Sequence, residues 1–118
     1  TLVDGAEALA VAVVEPTWTD YHVAYRAGFR HPLERGAAGK AILSARRQPQ
    51  PADEDENAPG YTLTHGELEA GACGAAAPLL GVTGVEGSVG VVMLADVVPE
   101  RVGERVMHAA REVAEALR

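Results

Sequence analysis

The sequence predicts an α+β domain that is built on an antiparallel sheet. Val-rich and Ala-rich runs of strand length alternate with tight turns, and the C-terminal segment has apolar residues at helical spacing. The predicted order is strand, strand, helix, loop, three strands and a final helix. Strands that are joined by short turns pair antiparallel, so this order predicts an antiparallel sheet. No internal repeat is visible.

The N-terminal part of the chain predicts a β-hairpin. Residues 8–15, "ALAVAVVE", are Val-rich and read as a strand, and residues 16–20, "PTWTD", have turn composition. Residues 21–26, "YHVAYR", alternate apolar and polar positions. Residues 8–26 are therefore expected to form two antiparallel strands.

The segment "PLERGAAGKAILSARR" predicts a helix entry followed by a helix. Its apolar positions recur at helical spacing: Ala37, Ala38, Ala41, Ile42 and Ala45. Gly36 and Gly39 each cost about 1 kcal/mol relative to alanine inside a helix. Their presence indicates that another group packs very close to the first turn. Residues 48–60, "QPQPADEDENAPG", then predict an exposed, mobile loop.

The second half of the chain predicts three strands and a helix. The strands are residues 61–64, 72–80 and 88–96, with "GVTGVEG" as the turn between the last two. "VVMLA" predicts a central strand that is covered on both faces. The helix is residues 99–118, and its predicted apolar face is Val102, Val106, Ala109, Ala110, Val113 and Leu117.

Composition excludes several classes of protein. A length of 118 residues predicts one domain, and a net charge of −7 with scattered basic residues disfavours nucleic-acid binding by this segment. The single cysteine, Cys73, excludes an internal disulfide, and no apolar run is long enough to span a membrane. We therefore expect a cytoplasmic protein with no membrane partner. Because the chain starts at Thr1 in strand-like sequence, we expect an excised domain or an incomplete N-terminus.

No motif for catalysis, metal binding or nucleotide binding is complete. A phosphate-binding loop needs Gly, four residues, Gly-Lys and a hydroxyl residue, but Glu34 replaces the first glycine and Ala41 follows Lys40. The four histidines and Cys73 lack the spacing of a zinc site. Cys73 lies in a small-residue strand, where a cysteine usually packs as a hydrophobe. The sequence therefore predicts no catalytic residue, no metal and no cofactor.

The start of the Gly-Lys-Ala helix leaves two interpretations open. A helix that begins near Gly36 presents free backbone N–H groups, which favour an anion. Small residues would let a ligand carboxylate approach, or they are needed only for packing the helix on the sheet. From this run alone, packing is favoured.

Three motifs occur in order: "HPLERGAAGKAIL", "YTLTHGELEAGACGAAAPLLG" and "GVVMLADVVPERVGERVMHAAREVAEALR". Together they resemble the C-terminal effector-binding domain of the IclR family of bacterial transcription regulators. "LVDGAEALAVAVVE" resembles the strand pair that precedes the first motif. The resemblance implies a GAF-like fold, with a central antiparallel sheet, helices packed on one face and a loop-framed pocket on the other.

The resemblance also implies a parent protein whose N-terminal winged helix-turn-helix binds DNA. We therefore expect residues 1–118 to form one effector-binding domain, without the DNA-binding domain and the N-terminal helix and strand of the family. The implied partners are a small-molecule effector, further copies of the chain in a dimer or tetramer, and DNA only through the missing domain.

In members of the family, small carboxylates or aromatic molecules bind between the sheet and the start of the Gly-Lys-Ala helix. The implied ligand-binding residues here are Tyr25, Gly36, Ala37, Ala38, Glu67, Cys73, Gly74, Met93 and Ala95. Members that bind small polar acids carry hydroxyl or thiol groups at several of the strand positions, where Gly74, Met93 and Ala95 are apolar. Each lost hydrogen bond would cost ~1 kcal/mol. We therefore expect a rather apolar or aromatic acid, with Lys40 a bystander on the outer face of the helix.

Two functions are consistent with these features. The first is a ligand-sensing regulatory domain that modulates DNA binding by the parent protein. The second is a structural oligomerisation domain with a degenerate pocket. An enzyme is not expected, because no catalytic constellation is present.

Overall fold

The computed structural model describes residues 1–15, 25–47 and 60–118. Within these ranges the chain forms six β-strands and two α-helices. Their bounds are β1 Leu2–Asp4, β2 Glu7–Leu9, β3 Arg30–Pro32, α1 Ala37–Arg47, β4 Thr62–His65, β5 Ala72–Pro78, β6 Ser88–Leu94 and α2 Val102–Leu117. The predicted α+β fold class is confirmed.

The strands form two antiparallel sheets that meet at β1 and β6. The first sheet has the order β1-β2-β3 and the second has the order β4-β5-β6. Leu2 forms a bridge with Gly87, and the Ser88 amide donates to the Thr1 carbonyl over 2.9 Å. The N-terminal strand therefore lies along the start of β6 and connects the two sheets.

β5 is the central strand of the second sheet. Its residues from Ala72 to Ala77 are all buried, between β4 on one side and β6 on the other. The sequence placed the central, doubly covered strand at "VVMLA", which lies mostly in β6, and this prediction is wrong. Val91 and Leu94 are exposed, because β6 carries only partial cover from the helices.

The two helices pack on opposite faces of β5. Ala37 and Ala41 of α1 pack against Ala76, whereas α2 packs against Ala75 and Ala77. Successive residues of a strand point to opposite faces, so neighbouring alanines serve different helices. The expectation that both helices share one face of the sheet is corrected by this arrangement.

The C-terminal helix buries a narrow stripe of small residues. The buried positions of α2 are Gly103, Val106, Ala110 and Ala114. The predicted positions Val106 and Ala110 are confirmed, but Val113 and Leu117 are exposed. Val102 is half-buried and packs against the same core cluster, so the buried face is narrower than the predicted one.

The predicted N-terminal hairpin is only partly described. β2 ends at Leu9 and pairs with β1 and β3, so the predicted strand over residues 8–15 is shorter than expected. The predicted turn at residues 16–20 and residues 21–24 lie outside the described residues, as do residues 48–59 of the predicted loop. Among the helices of the described ranges, none has the length and apolarity needed to cross a membrane.

Candidate functional site

The start of α1 is closely surrounded by other backbone and side-chain atoms. Gly36, directly before the helix, has φ +85°, a conformation that glycine adopts most easily. A Cβ on Gly39 would lie 2.8 Å from Cα and 2.9 Å from the carbonyl carbon of Leu33. The predicted close approach at the first turn is thus explained in part by the chain's own backbone, where it turns from β3 into α1.

The loop between β4 and β5, residues 66–71, folds over this helix start. The Gly36 amide donates to Oε1 of Glu67 over 3.4 Å, and Lys40 Nζ donates to Oε2 over 2.7 Å. Arg35 donates to the Glu67 carbonyl, with its Nε at 3.1 Å. The side chain of Leu68 covers Gly36, where a Cβ would lie 2.7 Å from Leu68 Cδ1. The protein thus places its own carboxylate at the positive end of α1.

Lys40 therefore has a specific role in the structure. Its Nζ lies 2.6 Å from Glu67 Oε1, and both side chains keep partial contact with solvent. The sequence placed Lys40 on the outer face of the helix as a bystander, and this prediction is wrong. Lys40 follows Gly36 by one helical turn, so it reaches the same carboxylate as the Gly36 amide.

The pKa of the Glu67 carboxyl is lowered from its usual value. The main cause is the hydrogen bond from Lys40, and the Gly36 amide and the positive charges of Lys40 and Arg35 act in the same direction. Burial acts in the opposite direction. The folded protein therefore favours the ionised form of Glu67.

A pH dependence of stability follows from this shift. A lowered folded-state pKa stabilises the protein above the usual glutamate pKa of about 4.3, and this contribution is lost as the pH falls through the folded-state value. At pH 7, Glu67→Gln is expected to lower the free energy of unfolding by about 0.5–1 kcal/mol, since the pair is partly exposed. The difference from wild type should shrink in urea titrations below about pH 4.

The control variant is Glu34→Gln, which removes an exposed carboxylate just before the same helix. It is expected to stay within about 0.5 kcal/mol of wild type at pH 7. A Glu67→Gln variant whose stability difference from wild type is the same at pH 3 and pH 7 would contradict the assignment.

The floor of the site is formed by β4 and β5. A Cβ on Gly74 would lie 3.3 Å from Thr64 Oγ1 and 3.4 Å from Ala37 Cβ. Gly74 pairs with Thr64 on one side and with Val92 on the other. These residues share the sheet face that carries α1, and Thr64 supplies a hydroxyl there.

The strand positions implied by the resemblance do not all lie on this face. Cys73 is buried and pairs with Met93, so both point to the face that carries α2. Val92 takes the α1 side of β6 in place of Met93. Ala95 lies beyond the last residue of β6. Neighbouring residues of a strand point to opposite faces, so the strand residues that the resemblance implies are divided between the two faces of the sheet.

Within the described ranges, the hydrogen bonds and ring contacts of Ala38 and Tyr25 do not involve the residues around Glu67. The Ala38 carbonyl accepts a hydrogen bond from Ser88 Oγ at 3.0 Å. The Tyr25 ring packs against Phe29 at a centroid distance of 5.2 Å, and its hydroxyl lies 3.5 Å from Thr1 Oγ1. The described contacts of Tyr25 are thus with the β1–β3 sheet.

The structure brings four of the nine implied residues together: Gly36, Ala37, Glu67 and Gly74. Sequence reasoning missed Thr64, Leu68, Val92 and the two basic residues Arg35 and Lys40. The basic residues carried a local signal, because they flank the glycine-rich turn. Leu68 and Thr64 carried none, since their role depends on the β4–β5 loop lying over α1. Among the described residues, no group of His, Cys, Asp or Glu side chains could hold a metal ion.

Similar structures support the fold. No protein-family model and no curated protein sequence matches this chain. A solved IclR-family protein from Rhodococcus sp. is 27% identical with a TM-score of 0.70, and the match covers 98% of this chain and 53% of that one. The Agobacterium tumefaciens repressor BlcR is 18% identical with a TM-score of 0.71, covering 98% and 57%.

A third structure is the C-terminal domain of a Vibrio cholerae protein described as a transcriptional regulator. It is 23% identical with a TM-score of 0.71, and the match covers 93% of this chain and 80% of that domain. These structures confirm the IclR-type fold that the three sequence motifs predicted. The chain spans little more than half the length of the Rhodococcus and Agobacterium proteins.

Proposed function

We infer that this chain, which has the fold of the C-terminal domain of IclR-family transcription regulators, is the ligand-sensing regulatory domain of such a regulator. Its net charge of −7 disfavours direct contact with DNA phosphates. DNA binding is therefore assigned to a separate domain of the parent protein. An effector would change that binding through the arrangement of the domains in a dimer or tetramer.

The observation that carries this proposal is the Glu67 carboxylate at the start of α1. An amide N–H, the Lys40 ammonium and the helix dipole converge on one carboxylate. The same groups suit the carboxylate of a small acid. Such an effector would take the place of the Glu67 side chain and leave Lys40 as its counter-charge.

The surroundings of this carboxylate define the rest of the ligand. Ala37, Gly74, Val92 and Leu68 are apolar, and Thr64 offers a single hydroxyl on the same face. Few hydrogen bonds are available beyond those to the carboxylate. The proposed effector is thus a small, rather apolar or aromatic acid.

A thermal-shift series with small aliphatic and aromatic acids tests the proposal. At a concentration of 100 Kd, a ligand stabilises the folded state by about 2.7 kcal/mol, which raises the Tm of a domain of this size by roughly 10 °C. The matched controls are the primary amides of the same acids, which have the same shape without the charge. The amides are expected to give much smaller shifts.

A second function is favoured by a different observation. Leu68 already covers Gly36, and a side chain at Gly74 would meet Ala37 at its first atom, as in a degenerate pocket. At and beyond the end of β6, Leu94 and Val97 are exposed apolar residues that a second copy of the chain would cover. If no acid shifts the Tm and the same sample sediments as an oligomer, the result would favour an oligomerisation domain over a ligand sensor.

A further inference from the structure

The β4–β5 loop has glycines with positive φ at both ends. Gly66 has φ +64° and Gly71 has φ +80°. A Cβ at either position would meet no atom within 4 Å, and both glycines are exposed. The Gly66 amide donates to the Ala72 carbonyl at 2.8 Å and closes the base of the loop.

Between these glycines, two residues attach the loop to the start of α1. Glu67 is attached by polar contacts: its side chain accepts from the Gly36 amide and Lys40, and its carbonyl accepts from Arg35. Leu68 is attached by an apolar contact with Gly36. Side-chain contacts to partly exposed charges are weaker than the backbone hydrogen bonds of β4 and β5 on either side.

We propose that residues 66–71 form a strap over the start of α1, which swings about Gly66 and Gly71 and is latched closed by Glu67 through Lys40 and Arg35. The strap opens without unfolding of the sheet: the bond from the Gly66 amide to the Ala72 carbonyl stays closed at the hinge, and opening breaks the bond from the Ala72 amide to the Glu69 carbonyl at 3.1 Å. Opening uncovers Gly36 and the first amides of α1. The role of the strap as a gate for an effector rests on the proposed function. Its movement and its closure by Glu67 do not depend on that function.

Amide hydrogen exchange of the ligand-free chain tests the strap. Amides that are protected by the closed strap exchange at a rate proportional to its open population. Glu67→Gln is expected to speed the exchange of the Gly36 and Ala37 amides by about two- to five-fold, as expected for loss of a partly exposed ion pair. In wild type and variants alike, the amides of Ala75–Ala77 in β5 should exchange far more slowly than those of the helix start, because they require the sheet to unfold.

A second variant and a salt titration make the result decisive. Lys40→Met removes the cation and keeps the carboxylate, so it should also speed the exchange at Gly36 and Ala37. Glu34→Gln removes one negative charge, as Glu67→Gln does, but at a position outside the latch. It is expected to leave the exchange rates of the Gly36 and Ala37 amides unchanged. Raising the salt concentration to about 1 M should speed exchange at these amides in wild type more than in Glu67→Gln, because salt screens the pair.

Two outcomes would overturn the strap. One is unchanged exchange at Gly36 and Ala37 in both Glu67→Gln and Lys40→Met. The other is exchange at Gly36 and Ala37 that is as slow as in β5 in wild type and in both variants, which would mean that these amides open only when the whole domain unfolds. Since no ligand is added, a failed thermal-shift series leaves this result intact, and a failed exchange experiment leaves effector binding open to its own test.

Discussion

Replacing Gly39 with alanine is expected to destabilise the domain by about 2 kcal/mol, although the same change usually stabilises a helix by about 1 kcal/mol. The reason is the Leu33 backbone, whose Cα would lie 2.8 Å from the new Cβ. Backbone cannot move aside as a side chain can, so α1 or the β3–α1 turn must shift. Urea unfolding monitored by circular dichroism measures the difference.

The control for Gly39→Ala is Ser44→Ala in the same helix. It improves helix propensity in the same sense and is expected to change the free energy of unfolding by less than about 0.5 kcal/mol. A Gly39→Ala variant that equals or exceeds wild-type stability would show that Leu33 does not constrain the helix start. The glycine would then need another explanation, and a ligand would be the first to consider.

Replacing Gly103 with alanine is expected to cost about 1–3 kcal/mol for a different reason. The obstacle is the ring of Tyr61, whose Cδ2 would lie 2.6 Å from the new Cβ. Tyr61 also packs against the core cluster that α2 forms with β5. The ring has to leave the surface of the helix, and part of that packing is lost.

A double-mutant cycle with Tyr61→Ala separates this obstacle from a general intolerance of α2. Tyr61→Ala alone should destabilise by about 2–4 kcal/mol through lost burial. In the double variant the alanine at position 103 is expected to add little or even to stabilise, because the ring is gone and alanine favours the helix. Additive costs in the double variant would contradict the assignment. No single side-chain truncation can relieve Gly39→Ala in this way.

The start of α1 illustrates how far local sequence leads. The glycines at 36 and 39 indicated a close approach, and the structure confirms one at each position. A different group approaches each glycine. The backbone of Leu33, six residues earlier, lies beside Gly39, and the side chain of Leu68 from the β4–β5 loop lies on Gly36. A glycine records that space is needed but does not identify the group that uses it.

The division of β5 between two helices shows the same limit. The run "ACGAAAP" predicted a buried strand of small residues, and this is confirmed. Small residues on both faces carry no alternation, so the sequence contained no signal for which alanine faces which helix. Only the pairing of Gly74 with Thr64 and Val92 separates the α1 face from the face of Cys73 and Met93.

The sequence by itself determined the α+β class, the strand and helix order of the second half, and the small-residue helix start, because these depend on composition and spacing along the chain. Only the tertiary structure decided that the helices take opposite faces of the sheet and that Glu67 reaches the α1 N-terminus with Lys40 as its partner. Lys40 and Glu67 are separated by 27 positions in the sequence. The path of the six-residue β4–β5 loop brings their side chains together. Contacts of that kind depend on strand register and loop path, and neither is encoded in the periodicity of a single segment.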